Sequence, residues 1–276
     1  MRPLCFVKLG GSLITDKRRE ATARQRVLQR LASELSEALR ADPDLRVLFG
    51  HGSGSFGHWE ASQYGTRAGV ETPEAWYGFT RVSASALRLN RIVVDSFVSA
   101  GVPMISLQPS ASAEARDGVI TALELAPIRA GLAHGLVPLV FGDVAFDIVR
   151  GGTILSTEDL FLHLAAELRP AWIFLLGNAP GVLDGDRRVI PHITPDSYPA
   201  VQAHVRRSGY TDVTGGMADK VAQMVNLVQR QPELRVRIFS GMIHGALRDT
   251  LRDPAGCNCG TLVCAATDGG SALPVL

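Results

Sequence analysis

The sequence predicts an α/β fold: a three-layer α/β/α sandwich whose central sheet is mainly parallel and carries β-hairpin additions. Three observations lead there. Short apolar runs rich in β-branched and aromatic residues alternate with longer amphipathic runs, the order that strands and crossover helices take when a parallel sheet is covered on both faces. The 276 residues are 46% hydrophobic and 20% charged, enough apolar material for one large continuous core. Asp117-Gly118 and Arg150-Gly151-Gly152 are hairpin-turn sequences flanked by apolar residues, so antiparallel ribbons should sit on the parallel core.

Strands are expected at 4–9, 46–49, 102–107, 137–141, 172–176, 235–239 and 261–264, each a compact apolar run bounded by turn residues. Helices are expected between them. The 21–40 segment places Leu28, Leu31, Leu35 and Leu39 on one side, 73–100 and 160–168 follow, and 216–230 brings Val221, Met224, Val225 and Val228 together. There is no internal repeat, low-complexity tract or polar linker, and the Pro- and Gly-containing stretch 177–195 marks a seam between two halves.

Lys plus Arg is 28 against 27 Asp plus Glu, a formal charge of +1, so no broad field exists to recruit nucleic acid or an acidic membrane. A small-molecule substrate is the expected partner, and neither nucleic acid nor membrane is. No stretch approaches the roughly 18 apolar residues of a membrane helix, and Lys8 comes too early for a signal peptide, so a cytoplasmic location is expected. Cys5 lies in an apolar strand, while Cys257, Cys259 and Cys264 crowd near the end. They read as reduced packing thiols, with the C-x-C pair a weak sign of zinc, and no protein metal ligand is assigned.

Four clusters carry chemistry. The first strand ends in Lys8-Leu9-Gly10-Gly11-Ser12, followed by Asp16 and Lys17: bare backbone N–H groups past a parallel strand with lysines in reach suit a phosphate, although the same residues also make an ordinary tight turn with a solvated lysine. The spacing is not a P-loop, since G-x-x-x-x-G-K-[ST] does not occur. The second strand runs into Gly50-His51-Gly52-Ser53-Gly54-Ser55-Phe56-Gly57-His58. It satisfies G-x-G-x-x-G but gives no amphipathic helix and second strand after it, so a dinucleotide fingerprint is rejected. His58 at the mouth of this glycine loop can donate to a phosphate oxygen. Gly142-Asp143-Val144 with Asp147 follows the middle strand, and Ser156-Thr157-Glu158-Asp159 opens a helix where Asp159 reads equally as cap and as site. Last, Asp212-Val213-Thr214-Gly215-Gly216-Met217 leads to Lys220 in a helix's first turn, where lysine opposes the dipole and suggests a purpose other than helix stability.

In order, these clusters resemble the amino acid kinase superfamily, over nearly the whole chain, and His51 to His58 is similar to the H-G-x-G-S-F-G-H of isopentenyl phosphate kinases; fosfomycin kinases carry a related version. The resemblance implies ATP-dependent phosphorylation of isopentenyl phosphate to isopentenyl diphosphate, with Mg²⁺ held mostly by ATP, in a homodimer. It implies an acceptor-substrate half at 1–170 and a nucleotide-binding half at 171–276 within one continuous unit. Lys8, Lys17, His58 and Lys220 would be catalytic; Gly11, Ser53, Gly54, Gly57, His58, Asp143 and Gly152 would bind the acceptor; Lys8, Gly10, Gly11, Ser12, Gly177, Asn178, Gly181, Thr214, Gly216, Met217 and Lys220 would bind ATP. The chain departs from the pattern at Gly177-Asn178-Ala179-Pro180-Gly181-Val182-Leu183, where T-D-x-x-G-V-Y is usual, and at Ser156 to Asp159, where S-G-D-D is common. Trp76, Phe79, Val82 and Ala86 share a helix face that either walls a small apolar pocket or is a core stripe. The alternatives are a kinase of another small phosphate, phosphonate or carboxylate, of the fosfomycin or acetylglutamate type, and a non-catalytic nucleotide-binding relative. A serine hydrolase is excluded by the lack of a G-x-S-x-G elbow.

Overall fold

The computed structural model of the chain describes residues 3–207 and 217–266. β1 (Leu4–Leu9) leads through the short α1 (Gly11–Ile14) to α2 (Gln25–Ala41) and β2 (Arg46–His51); α3 (Gly54–Tyr64), α4 (Pro73–Ser99) and β3 (Met104–Ser106) follow. The hairpin β4 (Ala113–Arg116) and β5 (Val119–Leu123), α5 (Ala126–Ala133), β6 (Val137–Phe141), the hairpin β7 (Asp143–Asp147) and β8 (Gly151–Leu155), and α6 (Thr157–Leu168) come next. Beyond them lie β9 (Trp172–Gly177), β10 (His192–Ile193), α7 (Tyr198–Arg207), α8 (Met217–Arg230), β11 (Arg235–Ser240), α9 (Ala246–Arg252) and β12 (Thr261–Val263).

Eight strands form the central sheet in the order β10-β12-β11-β9-β1-β2-β6-β3, parallel throughout except between β11 and β12. Side chains of a strand alternate between faces, and β1 shows what this does. Leu4 and Phe6 enter a core shared with α6 and α8, whereas Cys5, Val7 and Leu9 enter one shared with α2, α4 and α9. Both faces are covered, which is why the strands read as unbroken apolar runs. The alternation continues to Lys8, which falls on the α6/α8 face at the strand's carboxyl end.

The two hairpins pair into a second sheet, β5-β4-β7-β8, lying against α4. Asp147 ties its turns together: its carboxylate accepts from the N–H groups of Asp117, Gly118, Val149 and Arg150 at 2.7 to 3.0 Å. Burial alone would raise its pKa, but those amides outweigh it and hold the group at about 2.

Each expected strand is present within two residues of its expected ends, and the differences among helices have local causes. The 21–40 helix starts only at Gln25, because Ala21 has φ +44° and Thr15 bridges Ala23. The 160–168 helix starts at Thr157, fixed by a reciprocal cap between Ser156 and Asp159. The glycine segment after β2 is not a loop to His58, since helix begins at Gly54. Glycines and the lack of an apolar stripe hid α3 from periodicity. Among the described residues no helix is long and apolar enough to cross a membrane.

Candidate functional site

A cleft of about 1070 Å³ opens at the carboxyl ends of β1, β2, β6 and β9, where parallel sheets of this kind take ligands. Lys8, Gly10, Gly11, Ser12, Lys17, Ser53, Gly54, Gly57, Asp143, Gly177, Asn178, Gly181, Met217 and Lys220 all line it, so these sequence-predicted residues share one cavity. His58 lies on α3, the helix that also supplies Gly54, Gly57 and Ala61 to the wall. Thr214 and Gly216 lie outside the described residues. Gly152 is not among the lining residues: it sits in β8, where a Cβ would come 2.8 Å from the Phe79 ring, so its small size serves the packing of β8 on α4.

The floor is built from two glycine turns packed against each other. A Cβ on Gly11 would lie 2.4 Å from the Gly54 nitrogen, and one on Gly54, which has φ +50°, 2.2 Å from Thr15 Oγ1. Thr15 locks the pair, donating to the Gly11 carbonyl at 2.7 Å while accepting from the Ser55 N–H at 2.9 Å. Neither α1 nor α3 has a side-chain cap from its N-cap residue; in α3 the Ser55 N–H is taken by Thr15 and those of Phe56 and Gly57 by the Ser53 carbonyl, so the N–H groups left to face a ligand are those of 11–12 and 53–54. Asn178 joins the third turn, donating to the Ser12 carbonyl at 3.0 Å.

Charge is concentrated above this floor. Lys8, 5% exposed, hydrogen-bonds the carboxylate of Glu158, itself 8% exposed, and the same Glu158 oxygen lies 3.7 Å from the Lys220 ammonium. Burial pushes the Glu158 pKa up, but the two lysines outweigh it and hold the carboxyl at about 2. Burial lowers the Lys8 pKa and Lys220 pulls the same way, against the pull of Glu158. Lys17, Arg67 and Arg187 add positive charge around the rim.

His51 ends β2 in a different role. Its ring is buried, stacked 5.6 Å from Phe141, with Nε2 3.2 Å from Asn90 Oδ1. Burial holds it neutral, with its pKa lowered to about 4. Asp143 is also buried and accepts from the N–H groups of Val144 and Ser110, with burial raising its pKa.

Glu158 and Arg67 were missed as site residues. Glu158 stood beside a capping signal, and the structure resolves Asp159 as the cap, its carboxylate accepting from the Ser156 N–H at 2.9 Å. Nothing in the sequence marked Arg67, whose guanidinium lies 3.7 Å from Asp159. At this end Ala61, Val82, Ala86, Ile154 and Leu155 form an apolar wall, whereas Phe79 and Trp76 pack behind it with Val70 and Val144. The shared helix face is therefore divided between pocket and core. Among the described residues no group of three or more His, Cys, Asp or Glu is placed to hold a metal ion.

The model of the amino acid kinase family matches residues 3–240. The chain is 36% identical over 225 residues to the isopentenyl phosphate kinase of Haloferax volcanii, covering 81% of this chain and 88% of that one. It is 32% identical over 247 residues to that of Methanothermobacter thermautotrophicus, covering 84% and 90%. A solved isopentenyl phosphate kinase structure superposes with a TM-score of 0.78 at 27% identity, covering 94% of this chain and 99% of the other.

Proposed function

This chain belongs to the amino acid kinase family, and from that premise we propose that it transfers the terminal phosphoryl group of ATP to isopentenyl phosphate, giving isopentenyl diphosphate and ADP. The observation that carries the reading is the meeting of Lys8 and Lys220 on Glu158, above two interlocked glycine turns. Charges drawn from β1 and α8 on one cleft suit a site where two polyanions must be brought together. The similarity to enzymes named for this acceptor supplies its identity.

No base is required. The acceptor's second phosphate pKa is about 6, so its attacking oxygen is already largely anionic at neutral pH. That oxygen bonds to the terminal phosphorus of ATP as the bond to the ADP oxygen breaks, and the amides of 11–12 and 53–54 with Lys8, Lys17 and Lys220 match the charge spread over the group in transit. Glu158 lies between the two lysines and offsets part of their charge. His58 and the start of α3 hold the acceptor phosphate, with the Ala61, Val82, Ala86 and Ile154 wall taking the five-carbon tail. The nucleotide-binding half, 171–276, presents Gly177, Asn178, Gly181 and Met217, with Pro180, Leu183 and Ile238 offering apolar surface to the base.

Asp143 and Glu158 are engaged with amides and lysines, so magnesium would come with the ATP phosphates, held by their oxygens and water, and would neutralise charge there. The family likeness extends the reading to a homodimer in the cytoplasm.

The test is ADP release with Mg-ATP over isopentenyl phosphate, dimethylallyl phosphate, fosfomycin and acetylglutamate. Turnover is expected on the five-carbon phosphates, and preference for either of the others would overturn the acceptor. Lys8→Ala and Lys220→Ala should each lower kcat by about a hundredfold or more with the fold intact. His58→Ala should raise the KM of the acceptor and leave that of ATP in place; the reverse pattern would move His58 to the nucleotide.

A further inference from the structure

The loop after α9 carries two thiols that phosphoryl transfer does not use. The Sγ atoms of Cys257 and Cys259 lie 2.8 Å apart, and the Thr250 hydroxyl stands 3.3 Å from one and 3.5 Å from the other. Both cysteines are partly exposed, whereas Cys5 and Cys264 are buried. The loop is held in place by Asp253, whose carboxylate accepts from the Gly256 N–H at 2.9 Å and whose carbonyl accepts from the Cys257 N–H at 3.1 Å. Two sulfurs in such contact have less than about 1 Å left to close before they reach the roughly 2.05 Å of a disulfide bond.

We infer that Cys257 and Cys259 are a redox-active dithiol that closes to an intramolecular disulfide on meeting a small-molecule disulfide of the glutathione type. The thiolate of Cys257 attacks one sulfur of the oxidant, whose S–S bond breaks and releases one thiol. Cys259 then gives up its proton and displaces the second thiol, so the oxidant is reduced to two thiols as the pair is oxidised. The surroundings favour this order. Burial alone would raise the Cys257 pKa, but hydrogen bonds from the Cys259 thiol, the Thr250 hydroxyl and the Cys259 N–H outweigh it, while burial and Cys257 push Cys259 up to about 11.

The loop leads without slack into the cleft wall. Gly260 has φ +66°, and a Cβ there would come 2.1 Å from the Ile238 carbonyl. Thr261 Oγ1 accepts from the Val182 N–H at 2.8 Å and would meet a Cβ on Gly181 at 2.8 Å. Gly181 and Ile238 line the cleft. Drawing Cys259 onto Cys257 therefore pulls on Thr261 and loosens its bond to Val182, weakening nucleotide binding. This second step rests on the reading of 171–276 as the nucleotide-binding half; the disulfide does not.

The full chain is equilibrated in glutathione buffers of rising oxidised fraction, alkylated, digested and mapped by mass spectrometry, and in parallel titrated with a fluorescent ATP analogue. A peptide with Cys257 and Cys259 joined, restored by dithiothreitol, is expected in wild type, and Cys259→Ser should instead retain a glutathione adduct on Cys257. Both thiols remaining alkylated in fully oxidised buffer, or no adduct on Cys259→Ser, would overturn the dithiol. Oxidation should weaken analogue binding roughly fivefold, the worth of one neutral hydrogen bond, in wild type and not in Cys257→Ser. Equal affinity in both redox states overturns the link to the cleft, whereas a chain that never binds the analogue defeats the nucleotide reading and leaves the linked peptide to judge the dithiol.

Discussion

Glu158 faces two ammonium groups from inside the protein, and that position makes its charge count twice. Glu158→Gln would keep the shape and leave Lys8 and Lys220 facing each other. Since breaking a buried pair leaves an uncompensated charge, a loss of about 3 kcal/mol in urea unfolding is expected, with a fall in ADP release. His51 makes a separate prediction through pH. Its folded pKa of about 4 lies below the value near 6.5 of an unfolded histidine, so the unfolded chain binds the proton first. The resulting stability is present above about pH 6.5 and is lost as pH falls through about 4. Thermal melts at about pH 7 and about pH 4.5 should differ in wild type, and His51→Gln should flatten that part of the slope. Glu158, with a depressed carboxyl, loses its contribution lower, as pH falls from about 4.3 toward about 2, so the two groups act in different windows. Lys8 and Lys220 were legible one by one, as lysines beside glycine turns. Glu158 was not, because only the approach of β1 and α8 to α6 gives its carboxylate two partners.

The glycine turns and hairpins act as elements. Gly11 and Gly54 are glycine because two backbones touch there, which a reading of either segment alone attributes to a turn. Gly11→Ala must part the turns, and with the reacting groups displaced by about 1 Å the rate should fall by about a hundredfold, measured by steady-state ADP release beside an unchanged circular dichroism spectrum. In the second sheet Asp147→Asn removes the charge that gathers four amides. A loss of about 2 kcal/mol in chemical denaturation is expected, since hydrogen bonds to a charged acceptor are the stronger ones, with ATP affinity unaltered because the hairpin turns stand away from the cleft. The hairpins themselves were readable from Asp117-Gly118 and Arg150-Gly151-Gly152; that a single aspartate fastens both was not, since the residues it joins are about 30 apart in the chain.

At the scale of the molecule, the proposed halves 1–170 and 171–276 share one sheet and one core. β1 pairs with β9 across that boundary, and the cluster containing Phe6 and Leu48 also holds Ile173 and Val236. Calorimetry should therefore show a single cooperative transition, and two separate transitions would make the halves independent domains. The fold class and strand positions, and the glycine and lysine signals of the cleft, followed from sequence alone, because hydrophobic periodicity and turn chemistry are local properties that each segment expresses by itself. Which faces meet is not local. The bond from Lys8 to Glu158, the contact of Gly11 with Gly54 and the pairing of the two thiols with Thr250 were decided by the tertiary structure, which alone brings distant segments within the few ångströms over which charges, hydrogen bonds and backbones interact.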